Sequence, residues 1–167
     1  MLYLFSVWLH ILAGIVWIGG MAFFALVVVP VIRRDEFRSS APALIQRTGI
    51  RFRSLGWFCI ALLALTGVVN LAYQGTGWKN IWSGVIWRGP QGVILALKLV
   101  LVLIIIALSL LHDFIIGPRA ATASAADASA PEAIRLSRWA RELARLNLLL
   151  ALMVVFFGVM LVRGSPW

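Results

Sequence analysis

Of 167 residues, 62% are hydrophobic and only 13% are charged. A single soluble domain of this size cannot bury so much apolar surface, so the composition puts the chain in a lipid bilayer as one domain. The formal charge of +9 raises nucleic acid as a partner, and the placement of the cations argues against it. Six of the 15 Lys and Arg fall between Arg33 and Arg53 and five between Arg119 and Arg145, the pattern of two cytoplasmic loops under the positive-inside rule.

The first span is expected over residues 2–32. It lacks the basic start, short apolar run and small-residue cleavage site of a signal peptide, so it reads as a retained helix. His10, Gly14, Trp17 and Met21 follow one another at spacings of four, three and four, which is one helix face. Gly14 exposes bare backbone one turn inward of His10, and Gly19 and Gly20 suit close helix packing. Pro30 and the run RRDEFR end the span. The connection to Arg53 is expected to hold a short surface helix around residues 43–47.

The second span is expected over residues 55–73. Gly56, Cys59, Leu63, Thr66 and Asn70 form a small and polar face turned inward, opposed by Trp57 and Phe58. Cys59 is the only cysteine, which leaves no disulfide framework and no cysteine-rich metal site. Residues 74–90 read as an outer loop in which Trp78, Trp82 and Trp87 form either an interfacial belt or a lid over an outer site.

The third span, residues 92–117, carries Lys98, Ser109 and His112. Eleven and fourteen residues after Lys98, at about 100° per residue, the helix returns close to its starting direction. The three polar side chains therefore share one stripe. An ionisable group at such a depth is a functional hypothesis by default. Lys98, about 10 Å below the surface, can alternatively snorkel outward, and His112 reads as an interfacial histidine solvated by headgroups. Residues 118–130 read as an Ala and Ser linker. Residues 132–145 read as an amphipathic helix at the cytoplasmic headgroups, running without a break into a fourth span over residues 146–163.

The fold expected is therefore all-α, an integral membrane antiparallel four-helix bundle with both termini outside. Cysteines introduced at Thr76 and Ser124 are expected to label from opposite sides, with Thr76 reached from outside. Labelling of both from one side overturns the four-span reading.

His10 and Lys98 each lie about seven residues from the outer ends of their spans, hence about 10 Å deep, and Asn70 and Met160 lie about three residues from theirs. An outer group of His10, Asn70, Lys98 and Met160 is expected, and an inner level of His112, Asp113, Arg145 and Asn147. His10 and His112 cannot ligate one haem iron, because Lys98 to His112 already covers about 21 Å of helix. One axial histidine remains, His10, whose partner is Met160, Lys98, water or nothing. Copper is the rival, since Cys59, four methionines and two histidines are soft or borderline donors. They are thinly spread, with no MxxM, CxxC or HxH cluster. No Ser, His and Asp set, phosphate-binding glycine loop or paired carboxylates appear, so hydrolase and nucleotide chemistry are unsupported.

The stretch RFRSLGWFCIALLALTGVVNL, followed after a short loop by GVILALKLVLVLIIIALSLLHD, resembles the membrane domain of the copper-resistance CopD family. The shared features are an RF start, a TG late in one helix and a K-L pair early in the next. LHILAGIVWIGGMAFF looks like the helix before that domain, so the resemblance covers most of residues 5–117. An early histidine, a helix-three lysine and the element Arg145, Leu146 and Asn147 are also similar to the HemJ-type protoporphyrinogen oxidases. That second resemblance implies haem b, with His10 as ligand and Lys98 in a catalytic role. The run RRDEFR after Pro30 departs from the tyrosine and histidine usual there. The expected site has His10 and Met160 on the metal and Gly14, Trp17 and Asn70 beside the macrocycle. The leading expectation is a haem b redox protein of the bacterial cytoplasmic membrane. Its partners are the lipid bilayer and an electron donor or acceptor, and homo-oligomerisation is left open. The alternative is a copper carrier without haem, as CopD-like proteins imply copper uptake, and the third reading is a structural membrane subunit.

Overall fold

The structure is a computed structural model that describes residues 1–32, 34–37, 40–73, 83–84 and 87–163. Trp78 and Trp82 lie outside the described residues, and Trp87 is exposed. Four long helices account for nearly all of the described chain: α1 (Leu2–Ile32), α2 (Ala41–Leu71), α3 (Gly89–Ala126) and α4 (Pro131–Arg163). There is no strand among the described residues. Each helix is long and apolar enough to cross a membrane, which makes this a multi-pass membrane protein.

The packing is that of helices in lipid. Phe5, Ile15, Phe58, Leu65, Leu103 and Phe156 point outward, where acyl chains rather than water meet them. The shared core is mostly small, formed by Ala13 and Trp17 of α1, Cys59 of α2, Ile105 of α3 and Ala151 of α4. Small residues let backbones approach when no hydrophobic effect drives helices together.

Contacts between α1 and α2 run in opposite senses along the two helices. Ser6 and His10 meet Thr66, Trp17 meets Gly56 and Gly20 meets Phe52. Ser109 with Asn147 and Lys98 with Gly158 do the same for α3 and α4. At Gly20 a Cβ would run into the Phe52 ring, so any side chain there displaces the ring. Gly20→Ala should cost about 1–3 kcal/mol as an overpacking change. Phe52→Ala in the same chain should recover most of that loss, which a double-mutant cycle in mixed micelles would measure.

Two helices widen into a π turn just before a proline: Phe24–Val28 ahead of Pro30, and Leu111–Ile116 ahead of Pro118. A proline has no N–H and its ring presses on the carbonyl four residues back. Widening the turn relieves that pressure. The last N–H before each proline accordingly reaches five residues back, Val29 to the Phe24 carbonyl and Gly117 to the His112 carbonyl.

Two boundaries differ from the sequence expectation. The short helix expected at 43–47 is the first part of α2, which begins at Ala41, because no proline separates it from the second span and the single Gly49 is tolerated within the helix. The linker expected at 118–130 is helical through Ala126. Its alanines are strong helix formers and they pack on α4, with Ala120 and Ala133 buried and Ser124 Oγ 3.3 Å from Ser137 Oγ. Only residues 127–130 turn. There Asp127 Oδ1 accepts the Ser129 backbone N–H at 2.8 Å and its hydroxyl at 2.6 Å, bonds that hold the Asp127 carboxyl below its ordinary range. The amphipathic 132–145 segment belongs to the unbroken α4.

Candidate functional site

His10 lies half-buried on α1 where Thr66 of α2 faces it, with Nδ1 2.8 Å from Thr66 Oγ1. The hydroxyl proton of Thr66 is already committed: Oγ1 donates to the Leu62 carbonyl at 2.6 Å. Two oxygens at that distance need the proton between them. Thr66 Oγ1 can therefore only accept from the ring, which puts the imidazole proton on Nδ1. The Leu63 carbonyl lies 3.4 Å from the same hydroxyl. Nε2 is left with its lone pair, the form in which a histidine binds a metal, its other nitrogen being held by an acceptor.

Lys98 of α3 is half-buried, and its charge reaches His10. Its Nζ lies 3.6 Å from where a Cβ on Gly158 would stand, so the lysine packs against α4 at Gly158. Asn70, one turn beyond Thr66 on α2, has a buried Oδ1 with no hydrogen-bond partner among the described residues. His10 thus bonds Thr66 and lies within reach of the Lys98 charge, and Asn70 lies next along α2.

Gly14, Trp17 and Met160 are placed otherwise. A Cβ on Gly14 would meet Leu63 Cδ2 at 4.0 Å, so the clearance expected for a macrocycle is filled by α2. Trp17 is buried in the shared core against Gly56, about 10 Å along the helix from His10. Met160 is two residues from Gly158, hence about 200° around α4 from the side that meets Lys98. Thr66 is the partner that depth alone did not single out. Its signal was present in the inward face of the second span, where a hydroxyl stood among small residues.

At the arginine-rich end a second polar group forms. His112 Nδ1 lies 2.8 Å from Asp113 Oδ1, and Trp57 Nε1 donates to Asp113 Oδ2 at 2.9 Å. Arg53 donates to the Asp113 carbonyl at 3.1 Å and stacks over Phe114. His112 is therefore a paired histidine rather than one solvated by headgroups, and Trp57, expected to face away, reaches α3. Arg145 bonds Glu142 on the exposed face of α4, away from this group, whereas Asn147 donates to Ser109 Oγ at 2.7 Å in the interior. Among the described residues no three His, Cys, Asp or Glu side chains converge on a metal position. His10 thus offers a single protein nitrogen, not a closed cage.

No solved structure matches the chain. A protein of Aquifex aeolicus (strain VF5) described as uncharacterized is 32% identical over 158 residues, 93% of this chain and 92% of its own. The sequence model of Copper resistance protein D, CopD, matches residues 46–161. That match starts in α2, takes in Thr66, Lys98, His112, Asp113 and Asn147, and extends through most of α4. The family likeness thus reaches further along the chain than the expected 5–117 and begins after α1. With a match over most of its length and helices of membrane-spanning length and composition, the chain belongs to the CopD copper resistance protein family.

Proposed function

We propose that this chain moves copper across a bacterial cytoplasmic membrane, as an antiparallel four-span bundle with both ends outside, and that His10 in the outer half is a docking ligand for the ion. The observation that carries the reading is the fixed tautomer of His10: Thr66 holds Nδ1–H and leaves Nε2 free to bind. The family supports copper as the cargo. One imidazole nitrogen is a weak site, and a weak site suits an ion that must leave again. Cuprous ion accepts imidazole among its ligands.

Haem b on His10 is the second reading, favoured by the same Nδ1–H bond, which a proximal histidine also uses. The packing of Gly14 on Leu63 gives a macrocycle less support than a bare ion. The purified chain in nanodiscs, titrated with Cu(I) against a chromogenic chelator, should bind one copper per molecule. A Soret band with no copper bound would establish the haem reading instead, and neither signal would leave the structural-subunit reading.

Lys98 sets how long the ion stays. A cation beside a cation site weakens it, so Lys98→Met should tighten Cu(I) binding about tenfold, the order of a unit-charge repulsion at an effective dielectric of about 20. Unchanged affinity in the same chelator competition would show that the ammonium snorkels.

A further inference from the structure

The polar group at the arginine-rich end has no part in docking copper at His10, and its construction is specific. Because Gly117 N–H goes to the His112 carbonyl and Pro118 has no N–H, the carbonyl of Asp113 lacks a donor five residues ahead in the π turn. Arg53 of α2 supplies it at 3.1 Å. Trp57, one turn along α2, fixes Asp113 Oδ2. Backbone and side chain of Asp113 are thereby anchored to α2, and its remaining oxygen meets His112 Nδ1. His112 and Asp113 side chains are 32% and 21% exposed, so the pair is neither sealed off nor open on all sides.

One turn inward on α3 lies Ser109, buried and bonded to Asn147 Nδ2. Asn147 is 7% exposed, and its Oδ1 is buried with no partner among the described residues. A buried amide oxygen without a donor costs about 1–3 kcal/mol, and the usual remedy is an ordered water. Beyond Asn147 the shared core of Ala13, Trp17, Cys59, Ile105 and Ala151 offers only an indole N–H and a thiol, so the polar stripe stops there.

We propose that His112, Asp113, Ser109 and Asn147 form a hydrated proton inlet that opens on the arginine-rich side and ends blind at the shared core. Its ligand is a proton carried by water. A single imidazole bonded to a carboxylate can pass a proton, whereas it offers a metal ion one lone pair only. Intramembrane Asp and His chains are the usual material of proton relays. With Asp113 Oδ1 accepting Nδ1–H, a proton from cytoplasmic water adds to the Nε2 lone pair of His112. The product is an imidazolium balanced by the Asp113 carboxylate, and it returns the proton from the same nitrogen. The other charged group facing the pair from α2 is Arg53, engaged with the Asp113 carbonyl and Phe114. From α4 the facing group is the uncharged Asn147, one turn away. The proposal is independent of the copper reading and needs only the bundle.

The test uses the full chain in proteoliposomes with Cys59 replaced by serine. Ser109→Cys should react with a charged, membrane-impermeant thiosulfonate from the same side as an Ala128→Cys reference and not from the other. Asn147→Cys serves as the alternative probe if Ser109→Cys does not fold. In nanodiscs, nitrogen NMR of labelled histidine should show the His112 Nδ1 signal move after Asp113→Asn, as its hydrogen-bond acceptor changes, with His10 unmoved. No reaction at either cysteine, reaction from the side opposite Ala128→Cys, or a His112 indifferent to Asp113→Asn each overturns the inlet. Loss of copper binding by His10 variants with these results intact would bear on the copper reading alone.

Discussion

His10→Ala should lower Cu(I) affinity a hundredfold or more in the chelator competition, because it removes the one oriented imidazole at that end of the bundle. Thr66→Val should lower it about tenfold to a hundredfold, the range for losing the group that orients a metal-binding histidine. Valine keeps the shape of threonine but offers no acceptor for Nδ1–H, so the ring is freed to turn and to exchange tautomers. His112→Ala should leave the affinity unchanged, since fourteen residues of helix, about 21 Å, separate its level from that of Lys98. Equal losses in His10→Ala and His112→Ala would mean that the two variants disturb the bundle rather than a ligand. Full affinity in His10→Ala would remove histidine from the docking step.

Asp113→Leu should be the most destabilising single change at the other end. It leaves the Trp57 N–H and the His112 N–H without their acceptor, and each half-buried donor left unmade costs about 1–3 kcal/mol. A total of about 2–6 kcal/mol is expected from unfolding in mixed micelles. Asp113→Asn keeps one carbonyl oxygen and should cost about half as much. Trp57→Phe combined with Asp113→Leu should cost clearly less than the sum of the two, because both changes break the same bond. Strict additivity in that cycle would show that the indole and the carboxylate do not meet in the membrane.

The spans were legible in the sequence because length and hydropathy fix a membrane helix more firmly than any tertiary contact does. Inward faces were legible for the same reason. Gly56, Cys59 and Thr66 are buried, and Ser109 lies at the α3–α4 contact as its stripe required. Where helices end outside the bilayer was not legible. The alanine-rich 118–126 segment reads as low complexity, and only its packing against α4 shows which of its propensities wins. Depth placed His10 and Lys98 at one level but carried no information on azimuth between helices, so Met160 shared that level while facing elsewhere. The pairing of His112 was hidden for a different reason. It depends on the π turn that Pro118 imposes, which shifts the register by one residue and brings Trp57 of α2, apparently on the wrong face, within reach of Asp113.

The lengths of α3 and α4 have a mechanical consequence. At 38 and 33 residues they measure about 57 and 50 Å, against a hydrocarbon layer of about 30 Å. The pair must therefore project well beyond the lipid at the arginine-rich end. It is fastened crosswise at Ser124 with Ser137, at Ser109 with Asn147 and at Lys98 with Gly158. α4 is unbroken along this length, and α3 has a single loosened turn, at Leu111–Ile116. A load applied to the projecting tip would travel down a beam with one compliant joint and do its bending there, beneath His112 and Asp113, while the far end that holds Lys98 stayed still.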